Sequence, residues 1–501
     1  MLAGLIHRDI VDDVIRECGK REKRQRLLPA HVVMYYVLAL NLFFGEAYEE
    51  VLRQLVNGLK FLGNWRGNWE MPSTSALSQA RTRLGEAPMK LLFERIAVPM
   101  AGAGTRGAWY RGLRVMAIDG LVLDVPATDE NDEEFGRSGS AEVSSPFPQV
   151  RLVAVGECGT HAVTDAAFGP VATGEQTLAG QLIARFVAGM LVLADRNFYS
   201  YQAWQDAVAT GAALLWRVSA NLRMPVLEWL PDGSYRSVLI NSRIRGRRRE
   251  QLLAAAAAGQ ELDSAEAMVV RVIEYMIDNR SGSGELFCLI TTLVDHEFAP
   301  AVELATAYAQ RWEIELSFDE IEIHQTGGER VLRSRTPELV KQEIWSLLLV
   351  HYAIRHVMKD AADTVGTNPD DLSFIRSYRA IRRQVPNQAG FSPLTDSPTR
   401  SPKPPTRSPK NASAHDGTGH VPGSSRDTGH TATASNEQPT TSNSTPTRRR
   451  STSSQSGPNL TALSSGPPPQ TRFSPRSASS RRTSRSLSTT MPSKSDGITR
   501  H

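Results

Sequence analysis

Residues 113–125 read LRVMAIDGLVLDV and residues 190–199 read MLVLADRNFY. Each is a short run of β-branched and aliphatic residues that breaks at an aspartate, Asp119 in the first and Asp195 in the second. Such runs predict buried strands. A carboxylate at the end of a buried strand is costly unless something uses it. Working outward, LRVMAI (113–118), LVLDV (121–125), VRLVAV (150–155) and AVTDAAF (162–168) read as strands joined by turns. EQTLAGQLIARFV (175–187) reads as an amphipathic helix, and MLVLA (190–194) as a strand. A helix over 199–209 and the strand AALLWRV (212–218) follow. Three strands, a helix, a strand, a helix and a strand form the order of a ribonuclease H-like α/β core.

Residues 219–285 interrupt that order with strand-like pieces (SYRSVLI, AMVVRVIEYMI), an alanine-rich helix and a cluster of Arg243, Arg245, Arg247, Arg248 and Arg249. LFCLITTL (286–293) resumes the core as its closing strand, followed by a long helix over about 300–325 and another over 337–358. Residues 1–105 read as helical throughout. Within them, 28–44 (LPAHVVMYYVLALNLFF) is apolar enough to raise a membrane span, but Pro29, His31 and Asn41 interrupt it, so a buried core helix is expected. Segment 72–85 reads as a short capped helix that presents Gln79, Arg81 and Arg83, either to a DNA groove or to solvent. The predicted organisation is therefore an all-α N-terminal domain for DNA binding or assembly (1–105), a core in two parts (106–218 and 286–385), an insertion (219–285) and a tail (386–501).

The tail is rich in Ser, Thr, Pro and Arg, with too few apolar residues to offset its ordering entropy, and is expected to be disordered. It is either a flexible basic arm or the product of a shifted reading frame. It also hides a charge split. Residues 387–501 carry 15 Lys and Arg against 5 Asp and Glu, which leaves 42 against 48 and a net −6 on residues 1–386. A generally basic DNA-binding body is excluded, so any DNA affinity must come from local patches. Cys18, Cys158 and Cys288 are too dispersed for a zinc knuckle or a disulfide framework and fit a reducing cytosol. The N-terminus shows no secretory signal pattern.

The predicted topology brings Asp119 and Asp195 to one sheet edge, where the long helix can lay Glu315 across them. Three hard oxygen donors at one place would hold magnesium-type ions for phosphoryl transfer. Each acid also has a plain alternative. Asp119-Gly120 is a hairpin signal, Asp195 can cap a helix, and Glu315 can be a solvated acid. Tyr308, Arg311, Glu315 and Glu322 share one helical face by their spacing of 3, 4 and 7. An arginine there would clamp phosphate.

These residues carry a resemblance. YAQRWEIELSFDEIE resembles the Tyr-x2-Arg-x3-Glu-x6-Lys signature of the insertion-sequence-four family of DDE transposases. AIDG, LADRNFYSY and LRSRTPELVKQEIWSLLL extend the likeness over about residues 1–385. The resemblance implies a DNA transposase that cuts and joins DNA with two Mg²⁺ or Mn²⁺ ions held by Asp119, Asp195 and Glu315, with Tyr308 and Arg311 positioning phosphate. It further implies double-stranded DNA partners (terminal inverted repeats and a target), a homodimer on paired ends, and a bacterial cytoplasmic setting at the nucleoid. The family often passes through a hairpin that the insertion helps to hold; Trp216 and Trp229 are available for stacking there, and each has the plain alternative of a core residue. One residue departs from the signature: its final Lys is Glu322 here. An anion at that place leaves open an inactive relic that binds ends without cutting. A host nuclease on the same fold is the third reading.

Overall fold

The computed structural model describes residues 5–24, 27–59, 71–139, 143–277, 285–328 and 331–384. The tail and residues 60–70 lie outside the described residues.

One mixed sheet organises these residues. Its strands are β1 (Trp109–Tyr110), β2 (Leu113–Asp124), β3 (Gln149–Glu157), β4 (Ala162–Pro170), β5 (Met190–Ala194), β6 (Ala213–Val218), β7 (Glu228–Trp229), β8 (Tyr235–Ile240), β9 (Ala267–Ile277) and β10 (Glu285–Thr291). They lie in the order β4-β3-β2-β5-β6-β10-β9-β8-β7, with β1 pairing beside β2. The first three are antiparallel, while β2, β5 and β6 run parallel. This is the ribonuclease H-like arrangement that the strand order foreshadowed. It forms because β5 is a short, wholly apolar run and β6 is apolar but for Arg217, which suits them to burial on both faces of a sheet.

Two expectations are revised. Asp119-Gly120 does not turn: β2 runs unbroken through both residues, paired to β3 as Asp119 with Ala154 and Gly120 with Val153. The insertion also does not stand apart as a separate body. Its strands β8 and β9 continue the core sheet past β10, with Val272 opposite both Ile290 and Tyr235. From its loop Asp232 accepts the backbone N–H of Ala301 at 2.8 Å, and the buried Arg271 pairs with the same carboxylate. The insertion thereby caps the helix that carries Glu315.

Of the N-terminal helices, Ala30–Leu42, Thr74–Leu84 and Ala87–Ile96 pack on the long helix Pro337–Val365, while Arg8–Glu17 and Tyr48–Leu59 pack on these. Helix Ala30–Leu42 is buried on nearly every side, as a helix that is apolar all round must be. It is a core helix, and among the described residues no helix is long and apolar enough to cross a membrane. Helix Thr74–Leu84 has its Ser73 cap as expected, but Arg81 does not reach out to a groove. Arg81 is 1% exposed, and its guanidinium donates to Gln342 at 2.9 Å and Ser334 at 2.8 Å. It ties helix Thr74–Leu84 to helix Pro337–Val365 from the inside. Trp216 is likewise buried, edge-on to Trp204 at 5.4 Å, and unavailable to DNA. Trp229 is exposed on the edge strand β7.

Candidate active site

Parallel pairing sets the first two acids side by side. Ile118 lies level with Ala194, so the next residue on each strand is Asp119 and Asp195. Asp195 leads into a 3-10 turn (Arg196–Phe198) but makes no side-chain cap bond there. Helix capping therefore does not account for it.

The third acid arrives on a continuous helical segment. Ala301–Tyr308 and Trp312–Asp319 are α-helical, with a 3-10 turn at Ala309–Arg311 and a π turn at Glu320–Gln325. Tyr308 is buried, and its hydroxyl donates to the Ala194 carbonyl at 3.3 Å, one residue before Asp195. That bond seats the helix on the end of β5. Tyr308 thus cannot present its hydroxyl to solvent, and its place is that of a positioning residue.

Arg311 also turns inward. Its Nη1 donates to Asp119 Oδ2 at 2.7 Å and its Nη2 to Glu315 Oε1 at 2.6 Å, so one guanidinium bridges strand and helix. Asp119 further accepts the Gly120 N–H at 2.8 Å. Asp195 has a buried Oδ1 with no hydrogen-bond partner, although Arg217 from β6 stands 3.7 Å away. Burial raises the pKa of Asp119, and the charge of Asp195 adds to this against Arg311. Burial likewise raises Glu315, with Asp119 and Asp195 contributing. The three acids therefore feel one another, and a single arginine does not neutralise them.

The donor set fits divalent cations by these observations: carboxylates only, mutual repulsion and an orphaned buried oxygen. The three acids do not form a trio whose ligand atoms all lie within 4.8 Å of one another. Two ions about 3.5–4 Å apart would span a wider set of donors than one ion could.

Around the acids sit residues that motif reasoning missed. The Arg217 guanidinium lies 3.9 Å from the Phe287 ring centroid and pairs with Glu285 as well as approaching Asp195. A lone arginine inside the apolar strand ALLWRV was the available signal. Trp312 follows Arg311 directly and is 60% exposed, a large aromatic face beside the acids. The insertion cluster is on the surface: Arg243, Arg245 and Arg247 are exposed, Arg249 is half-buried, and Arg248 pairs with Glu266. Arg333, the first arginine after Glu322 among the described residues, is committed elsewhere, donating to the Glu46 carbonyl with its guanidinium over Tyr48 at 4.7 Å.

Residues 1–94 match the family model described as "Insertion element 4 transposase N-terminal", and residues 110–353 match "Transposase DDE domain". The chain is 30% identical over 398 residues to "Transposase InsG for insertion sequence element IS4" of Escherichia coli (strain K12), covering 78% of this chain and 84% of that protein. The chain belongs to the IS4 family of DDE transposases. A second relative, "Putative transposase InsZ" of the same organism, is 28% identical over 35% of this chain and 56% of its own length. A solved structure, "Cryo-EM structure of piggyBac transposase synaptic complex with hairpin DNA (SNHP)", has a TM-score of 0.39 at 10% identity, covering 79% of this chain and 81% of that one. This transposase is thus an enzyme that depends on divalent metal and has DNA as its partner, on a ribonuclease H-like core.

Proposed function

We propose that this transposase cleaves and rejoins the ends of its own insertion element at a centre formed by Asp119, Asp195 and Glu315. The observation that carries the reading is the meeting of β2, the end of β5 and the acidic helix around one guanidinium, with Asp195 left unsatisfied beside it. Two Mg²⁺ or Mn²⁺ ions bound there would activate a water or 3′-hydroxyl and stabilise the leaving oxygen of an in-line transfer.

The chain's own groups have separate tasks. Asp119, Asp195 and Glu315 supply the oxygens that hold the cations. Arg311 occupies the same carboxylates as a charge substitute. Once released from them, it is in place to clamp a phosphate through paired hydrogen bonds. Tyr308 holds the helix against β5. Arg217 is a second cation beside Asp195, and Trp312 offers a face for an unstacked base. The Arg243–Arg249 cluster and the N-terminal helices contact the duplex, as local basic patches on a body of net −6 must do. The substrates are terminal inverted repeats and a target duplex, bound by a homodimer on paired ends in the bacterial cytoplasm.

The test uses the full chain with Mg²⁺ and a duplex carrying the element's own ends. Wild type should nick at the end, and Glu315→Gln should reduce nicking to background while end binding by mobility shift stays intact. Equal cleavage by both would remove Glu315 from the chemistry.

A further inference from the structure

A second group of metal-ligand side chains lies behind the catalytic helix. Among the described residues, His161, Glu313 and Asp370 are the trio whose donor atoms all lie within 4.8 Å of one another. They come from three separate elements. His161 sits in the tight β3–β4 turn with φ of 57°, Glu313 in the first turn of Trp312–Asp319, and Asp370 in the 3-10 turn Pro369–Asp371. His161 Nε2 is 3.3 Å from Asp370 Oδ1 and 3.9 Å from Glu313 Oε2.

The charges here do not balance. Glu320 is matched by Arg355, which donates to both of its carboxylate oxygens. That leaves two carboxylates, Glu313 and Asp370, facing one imidazole. Even a protonated His161 would leave one negative charge over, in a place where His161 and Glu313 are largely buried. An uncompensated charge in such surroundings is costly. Among the described residues, Glu313 has the Gly159 N–H as its one further hydrogen-bond donor.

We infer that His161, Glu313 and Asp370 form a binding site for one divalent transition-metal cation of the zinc type, distinct from the catalytic acids. One imidazole and two carboxylates, with room for water, suit zinc and its neighbours, whereas Mg²⁺ and Ca²⁺ favour all-oxygen shells. With metal–ligand bonds of about 2.0–2.1 Å, the edges of a tetrahedral shell are about 3.4 Å long. The present separations of 3.3 and 3.9 Å are close to that length.

The histidine has the outer partner that such a ligand requires. In the metal-free arrangement Arg355 Nη2 donates to His161 Nδ1, so Nε2 carries the proton toward Asp370. Metal binding at Nε2 requires the other tautomer: that proton moves to Nδ1, and Arg355 Nη2 gives up its bond to Nδ1 while keeping the one to Glu320. Glu320 Oε1 lies 3.7 Å from Nδ1, ready to accept in a carboxylate–histidine–metal arrangement. Arg355 keeps its Nε bond to Glu320 at 2.8 Å. Asp370 is the most exposed of the three and gives the ion a route from solvent. The bound cation would join the β3–β4 turn and the 369–371 turn to the acidic helix, two residues before Glu315.

The test titrates Co²⁺ as a spectroscopic probe into the metal-stripped full-length chain carrying Asp119→Asn, Asp195→Asn and Glu315→Gln, so that the catalytic acids contribute nothing. The expected result is one bound equivalent with a visible ligand-field spectrum, displaced by Zn²⁺, and lost when His161→Gln or Asp370→Asn is added. Asp370 sits in a surface turn, so its variant decides the matter if His161→Gln does not fold. No Co²⁺ uptake by the triple variant, or an equivalent retained by folded Asp370→Asn, overturns the site. Neither readout depends on DNA cleavage, so the catalytic assignment stands or falls separately.

Discussion

Glu315 and Glu320 lie five residues apart on one helical segment, yet their surroundings are opposite. Glu315 is about one-third exposed and shares Arg311 with Asp119, and its pKa is raised by burial and by two neighbouring carboxylates. Glu320 is buried and accepts from Arg355 Nε at 2.8 Å and His351 Nε2 at 2.9 Å. Burial alone would raise Glu320, but His161, His351 and Arg355 hold it well below the usual carboxylate range. One end of the segment is electrostatically satisfied and serves as an anchor. The other is left in want of positive charge, as a cation-binding end should be. Stability and function are thus separated along a few turns of one helix, and the two ends should respond differently to the same kind of change.

The largest effect should come from the anchor. Arg355→Ala leaves Glu320 buried with its guanidinium partner gone, and loss of one partner of such a pair costs about 3–5 kcal/mol. Denaturant unfolding should show that loss, whereas Glu315→Gln should stay within about 1 kcal/mol of wild type, as expected for a half-exposed site relieved of repulsion. If the two variants were equally destabilised, the contrast between anchor and site would be gone.

Acid should separate the two ends next. The folded pKa of Glu320 lies below its unfolded value, so its contribution is fully present above about pH 4.5 and is lost as pH falls toward the folded value. Asp119 and Glu315 are shifted the other way, so they cost stability as pH rises through their unfolded values and protonate more readily in the fold. Cation binding there should therefore strengthen with rising pH, because the ligands must be deprotonated. The check is a set of unfolding curves between pH 3 and 7 alongside Mn²⁺ titration. Replacing Glu320 by Gln should flatten the acid limb of stability and leave the pH trend of Mn²⁺ affinity in place. An unchanged acid limb would show that Glu320 is not the anchor.

Sequence reading recovered one side of this comparison better than the other. The meeting of Asp119, Asp195 and Glu315 was legible because breaks in apolar runs and helical spacing are local patterns, although β2 continues past Asp119 where a strand end was expected. The anchor was not legible. Its partners His161, His351 and Arg355 lie 159, 31 and 35 residues from Glu320 in the chain, and nothing local marks them as neighbours. For the same reason Tyr308 and Arg81 were read as facing outward, whereas both are buried. Helical spacing places residues on one face of an element but does not say which face meets the core.

The smallest effect concerns Glu322, where the family signature has lysine. It lies in the π turn, seven residues beyond Glu315, and is half-buried. The segment thus carries a further acid two residues past the anchor Glu320, at a place where the family signature has a cation to meet phosphate. Glu322→Lys changes the local charge by two. If DNA passes over this turn, the variant should bind the element end a few-fold more tightly at low salt. The slope of log affinity against log salt should steepen by about one, as for one added phosphate contact. Nicking by wild type at a comparable rate would show that Arg311 and Arg217 already supply the charge this reaction needs. Nicking seen only in Glu322→Lys would mean that the catalytic end has lost a cation the rest of the site cannot replace, and the chain would then bind ends without cutting them.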